Sequence, residues 1–185
     1  MVLNAFASAL KQKPRENHRH RIEHCSVVTE DILRRIKALG LVIVPHCYIW
    51  EHGDKMEAYG EWRWDWMHPA RSLLDLDIPI AGHSDSPVSA ADPLLRMQDM
   101  VTRMSAEGKV YGARKRIRVE EALRAWTLGG AYASFEEDRK GSIAVGKLAD
   151  FVILSADPTQ VKLDAIKDIA VEMTAIGGRI VFARK

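Results

Sequence analysis

The chain has little of what would place a protein quickly. Cysteine is nearly absent: Cys25 and Cys47 are the only two in 185 residues. They lack framework spacing, so a disulfide scaffold is excluded and a reducing compartment is expected, with both thiols buried as small hydrophobes. No apolar run approaches the ~20 residues that cross a bilayer, and Met1-Val-Leu-Asn-Ala-Phe6 has no signal-peptide architecture. The expected residence is cytoplasmic, with no membrane partner. Excess charge is missing as well. Lysine and arginine number 27 against 25 acidic residues, a net charge of +2, which implies no strong electrostatic partner. Repeats and low-complexity runs are absent.

What remains is an ordinary composition, 47% hydrophobic and 28% charged, at a length that suits one domain, or one domain with a small appendage. Ile78-Pro-Ile-Ala-Gly-His-Ser-Asp-Ser-Pro87 is the most informative stretch. A short apolar strand ends there on a polar cluster that presents Asp85. Strands of a parallel sheet are buried on both faces, and the residues just past their carboxyl ends line the active-site mouth. Ser84, Asp85 and Ser86 also suit an Asx-type turn or a helix cap, so the ten residues alone leave cap and site equally open.

The pattern along the chain predicts a helix over 2–13 closed by Pro14, then a short strand over Arg21 to His24. A helix capped by Thr29 runs through Leu39 to Gly40, and Leu41 to Val44 forms a second strand. An irregular segment Pro45 to Gly53 follows, then an aromatic stretch Tyr59 to Met67, a helix over Pro69 to Asp75 and a third strand over Ile78 to Ala81. Strand, helix, strand, helix, strand with long crossovers argues parallel βαβ units. Helices are expected over Asp92 to Met104 and Val119 to Ala133. Beyond Gly141 the grammar changes to short strands divided by Gly177-Gly178, an antiparallel piece beside the α/β part.

Four stretches, in order, carry a resemblance: His18-Arg-His-Arg-Ile-Glu-His24, Gly82-His-Ser-Asp-Ser-Pro87, Val119-Glu-Glu-Ala-Leu-Arg-Ala-Trp-Thr127 with Gly130-Ala-Tyr-Ala133, and Lys140-Gly-Ser-Ile-Ala-Val-Gly-Lys-Leu-Ala-Asp-Phe-Val-Ile-Leu-Ser155. The chain resembles the carboxyl-terminal portion of the metal-dependent amidohydrolases, in the family 3 branch. The resemblance implies an α/β fold: a partial TIM-type (β/α) barrel, its last three βα units over 1–138, followed over 139–185 by a small β segment of a composite β-sandwich. It implies that His24, ending the sixth barrel strand, and Asp85, ending the eighth, are metal ligands, and that Asp85 is the catalytic base that takes a proton from the attacking water.

The same resemblance implies a divalent metal, zinc foremost, as one or two ions in the complete enzyme, and hydrolysis of a non-peptide carbon–nitrogen bond. The family's remaining ligands lie on strands not matched here, and a catalytic zinc site usually takes three protein ligands plus water. The expectation is therefore a fragment that binds metal weakly or not at all alone, associated with an upstream barrel fragment or with copies of itself. A non-catalytic paralogue or accessory subunit keeping the same shell is the alternative.

Among the other histidines, His46 and His52 are candidates for the substrate pocket, since they fall in the loop after the second strand. His83 reads either as a partner of Asp85 or as a residue packed on a helix. His18, His20 and His68 are expected at the surface or in caps, and Glu23 in an ion pair with Arg21 or Arg71. Trp62, Trp64 and Trp66 would form one face of a strand, against the barrel wall or a ring-shaped substrate. Lys109 to Arg118 packs five basic residues into ten, and with so small a net charge is expected to be a solvated loop rather than a nucleic-acid contact. The expected partner is a small-molecule substrate.

Overall fold

A computed structural model describes residues 1–185. Helix α1 spans Val2–Gln12 and leads by a polar turn into strand β1, Arg21–His24. Helix α2 covers Glu30–Ala38. The Thr29 hydroxyl accepts the Ile32 amide at 3.3 Å, Glu30 and Asp31 sit at the positive end, and Gly40 leaves the helix at φ +61°. Strand β2, Val42–Pro45, then pairs parallel with β1 in the register Ile22 to Ile43 and His24 to Pro45. Helices α3, Ile49–Met56, and α4, Ala70–Asp75, cross back to Ile80, which bridges Ile43 in parallel.

Two departures from expectation lie in that crossover. The segment after β2 is mostly helical, with His52 inside α3 at φ −134°, a kink in the helix. The tryptophan-rich stretch forms 3-10 turns over Glu61–Trp66 instead of a strand. Trp64 donates to the Met56 carbonyl at 3.0 Å and Trp66 packs on the core, leaving Trp62 exposed beneath Arg63. The strand expected over Ile78 to Ala81 is reduced to one bridge, because Pro79 has no N–H to give and the Ile78 amide turns back to Leu73.

Helix α5, Pro93–Thr102, starts on Asp92, whose Oδ1 accepts the Leu94 and Leu95 amides at 3.1 Å. Helix α6, Val119–Arg124, continues through a π turn, Ala125–Gly129, into α7, Gly130–Ala133. The π turn lies against the third strand position: a Cβ on Gly129 would fall 2.3 Å from the Ile80 carbonyl oxygen. Only glycine permits that approach. Strands β3, Phe151–Leu154, β4, Val171–Ile176, and β5, Arg179–Ala183, form an antiparallel sheet in sequence order.

The main core holds Ile36, Leu41, Ile43, Ile49, Leu73 and Ile78, all nearly without exposed surface. It also takes in Ile166 and Ile169 from the carboxyl-terminal region. The 3-10 turn Leu163–Asp168 is fastened to α5, where Gln98 Oε1 accepts the Lys167 amide at 3.0 Å. Apolar packing therefore runs continuously across the boundary expected near residue 138. The longest helix, α1, has 11 residues, and no helix is long and apolar enough to cross a membrane.

Candidate functional site

The parallel register places Ile22, Ile43 and Ile80 side by side, so the residues that follow them emerge together at one end of the sheet. Those residues are His24, His46 with Tyr48, and His83 with Asp85. His24 and Asp85 both adopt left-handed backbone, at φ +66° and +55°. Histidine and aspartate tolerate that region better than most side chains. It swings each chain off its strand axis, and His24 Nε2 comes to 3.7 Å from Asp85 Oδ1. The His83 ring stands edge-on to both His24 and His46, with centroids 4.9 and 5.0 Å away. Its Nε2 is buried without a hydrogen-bond partner, so His83 belongs to the cluster rather than to a helix contact.

Asp85 is held by Tyr48, whose hydroxyl donates to Oδ2. That bond, followed by the nearby histidines, keeps the Asp85 carboxyl below its usual pKa. Burial, then the same hydrogen bond, pushes the Tyr48 phenol up to about 12. Tyr48 thus stays a proton donor to an ionised carboxylate across the neutral range.

The structure separates the two histidines expected in a substrate pocket. His46 is completely buried, with its ring stacked on Tyr48 at 3.4 Å between centroids. Its Nε2 donates to the Ser84 carbonyl at 2.8 Å, bracing the turn that carries Asp85. Burial lowers its pKa to about 4, so the ring is neutral. His46 thus has no exposed surface in this structure and lies beneath Tyr48 rather than in an open cleft. His52 is on helix α3 rather than in a loop, accepting from Lys55 Nζ at 3.2 Å on Nδ1, with its ring 5.9 Å from that of Tyr48.

His68 departs from its expected place at the surface. It is 7% exposed, with Nδ1 donating to the His46 carbonyl at 2.8 Å, and burial lowers its pKa to about 4. Its own carbonyl accepts from Arg103 at 3.0 Å. Arg103 is a buried guanidinium whose remaining N–H groups reach the Tyr111, Trp64 and Met67 carbonyls, gathering the walls behind the site. His18 meets its expectation as a cap, donating to the Leu39 carbonyl at 3.0 Å, and Glu23 pairs with Arg21 at 3.0 Å.

Sequence reasoning passed over a buried polar layer under the site. Arg96 and Asp99 on α5 are 1% and 0% exposed, and Arg96 forms a bidentate pair with Glu51. Burial raises Asp99 to about 7. Their i, i+3 spacing among Leu94, Leu95, Met97, Met100 and Val101 was the available signal: charged residues on a helix with little polar face.

As a metal site the cluster fits in part. Imidazole and carboxylate are natural ligands for a zinc-like ion, and His24 with Asp85 supplies one of each. No three histidine, cysteine, aspartate or glutamate side chains converge as a ligand group, however.

With this geometry in view, comparisons with known proteins are decisive on family. The amidohydrolase family profile, in its family 3 branch, matches residues 1–182. The Bacillus subtilis protein YtcJ, provisionally named an amidohydrolase, is 30% identical over 190 residues, covering all of this chain and 36% of its own length. An N-substituted formamide deformylase of Arthrobacter pascens is 26% identical over 192 residues, again covering the whole chain and 34% of the relative. A metal-dependent hydrolase of Pyrococcus horikoshii, itself uncharacterised, superimposes with a TM-score of 0.72 and 28% identity over 88% of this chain and 32% of that one. The chain belongs to the amidohydrolase family. It spans about a third of the length of these relatives.

Proposed function

We propose that this chain carries the last βα units of an amidohydrolase barrel, with β3–β5 as part of a composite β-sandwich, and supplies two ligands of a metal centre that hydrolyses a non-peptide carbon–nitrogen bond. The observation that carries this reading is the convergence of His24 Nε2 and Asp85 Oδ1 at 3.7 Å on the carboxyl ends of parallel strands, in a chain that belongs to this family.

His24 and Asp85 would hold the metal. When bound, a zinc-like ion lowers the pKa of water to about 7 and polarises the substrate carbonyl. Asp85 Oδ1 takes the proton of the attacking water and returns it to the departing nitrogen, while Tyr48 holds Oδ2 and fixes the direction in which Oδ1 points. His46 and His68, both neutral, add no charge of their own beside the site. His52, its ring 5.9 Å from that of Tyr48, would be the residue to meet the substrate. The deformylase relative makes N-substituted formamides the first substrates to try.

Two donors are too few for a catalytic site, so hydrolysis requires ligands from outside this chain. A cavity of about 660 Å³ opens beside Ile78, Pro79 and Ile80, where the Ile80 N–H and C=O take no part in the ladder to Ile43. The π turn at Gly129 packs directly on the Ile80 carbonyl on that side, and the missing ligands would come from an upstream barrel fragment or a second copy. Within the basic stretch Lys109 pairs with Glu57 and Arg114 with Asp65, while Arg116 donates to the Thr102 carbonyl. The accessory-subunit reading is favoured by one observation, the lack of a three-donor group.

Metal content separates the readings. The purified chain is expected to hold well under one zinc and to leave N-substituted formamides intact. Together with the polypeptide encoded immediately upstream, it is expected to hold at least one zinc, lose that zinc in His24→Ala, and lose hydrolysis in Asp85→Asn. Stoichiometric zinc with hydrolysis by the isolated chain would overturn the shared site. Full zinc retention in the complemented His24→Ala/Asp85→Asn protein would overturn the ligand assignment and leave the accessory role.

A further inference from the structure

Helix α3 begins without a side-chain cap of its own, because Tyr48 at its amino end offers no acceptor to the first-turn amides. The acceptor comes from another helix. Asp99 on α5 takes the Trp50 amide at 3.2 Å on Oδ2, while its Oδ1 is buried without a partner. One turn earlier on the same helix, Arg96 donates to the Cys47 carbonyl at 3.3 Å and grips Glu51 in the first turn of α3. Arg96 Nη1 also lies 3.8 Å from Asp99 Oδ2. Arg96 thus holds residues on both sides of Tyr48 and Asp99 holds Trp50 beyond it, and neither hydrogen-bonds Tyr48 itself.

Sealing a guanidinium and a carboxylate in a core is costly, and well-packed apolar side chains of similar volume are often at least as stabilising. Stability is therefore a weak reason for this pair to be here. Its geometric effect is specific: it sets the height and rotation of the short segment Cys47 to Glu51, from which the Tyr48 hydroxyl reaches Asp85 Oδ2. With Oδ2 held, Oδ1 is left facing His24. A small error in such a chain of contacts would misdirect the carboxylate, and productive geometry tolerates only about 0.5 Å.

We propose that Arg96 and Asp99 are positioning residues, a buried clamp on α5 that fixes Tyr48 and through it aims the Asp85 carboxylate at His24. The proposal rests on the reading of Asp85 as the site carboxylate, but its test needs neither metal nor substrate, so either can fail without the other.

Fluorine NMR on the full chain labelled with 3-fluorotyrosine reads the contact directly, since there are four tyrosines and Tyr48→Phe assigns the signal. In the parent protein the Tyr48 signal is expected to shift on Asp85→Asn. In Asp99→Leu, which removes the acceptor for Trp50, that response is expected to be lost, with the signals of Tyr59, Tyr111 and Tyr132 unmoved. Asp99→Asn keeps an acceptor oxygen and is expected to restore it. A response in Asp99→Leu equal to the parent's overturns the clamp. Should Asp99→Leu fail to fold, Glu51→Gln, on the partly exposed limb, replaces it: a diminished response supports the clamp and an unchanged one overturns it.

Discussion

Val42-Ile-Val44 in β2 and Ile180-Val-Phe182 in β5 are almost the same apolar triplet, yet they live in opposite surroundings. The first is 1%, 0% and 7% exposed and the second 56%, 48% and 48%. The difference lies in their neighbours. β2 is flanked on one side by β1 and on the other by Ile80, with helices over it, whereas β5 has β4 on one side and no strand on the other. β-Propensity makes both triplets strands, and only the parts packed around them decide which one holds the molecule together. The candidate site stands on the well-covered sheet, where a left-handed backbone at His24 and Asp85 is kept in place by its surroundings.

The contrast can be broken by matched substitutions. Ile43→Ala empties a central core position and is expected to cost ~2–5 kcal/mol, read as a lowered midpoint in urea unfolding. Val181→Thr is expected to change stability by no more than ~0.5 kcal/mol, as exposed positions do. A cost at Val181 close to that at Ile43 would mean that β5 is covered in solution, by another copy or by another chain.

Between those extremes lies the buried polar layer. Burial raises the folded-state carboxyl of Asp99 to about 7, above the ~3.9 of an unfolded aspartate. The unfolded state therefore loses its proton first. The group's contribution to stability is complete below about pH 4 and is lost as pH rises to about 7. Arg96, Cys47 and Glu51 face Asp99, and Arg103 is near enough to be felt. The Cys47 thiol is pushed well above its ordinary value, so it stays protonated across this range. Asp99→Asn is expected to flatten the fall in thermal midpoint between pH 4 and 7, and an unaltered slope would show that other groups carry it.

Much of this was legible beforehand. Periodicity and caps located α1, α2, α5 and the first and last carboxyl-terminal strands, because each is specified by neighbours in sequence: Thr29 at one helix start, Asp92 and Pro93 at another, Gly177-Gly178 before β5; the middle strand, expected over Ile169 to Glu172, runs Val171–Ile176. The tryptophan stretch misled, since alternation at Trp62, Trp64 and Trp66 fits a strand, yet local 3-10 turns half-bury two of the three rings as well. His68 misled for a related reason, and the burial of His46 was equally hidden. Histidine spacing does not say whether a ring meets solvent or a carbonyl, and here backbone carbonyls of distant segments take both.

By itself the amino-acid order determined the family, the alternation of strand and helix, and the presence of His24 and Asp85 at strand ends, because these depend on residue type and short-range spacing. The tertiary structure alone decided that the two side chains meet at 3.7 Å, that Tyr48 holds the carboxylate, and that Arg96 and Asp99 lie buried beneath them. Those contacts join segments about 40 to 60 residues apart. They exist only once parallel pairing has brought the strand ends together and the helices have excluded water from the layer below.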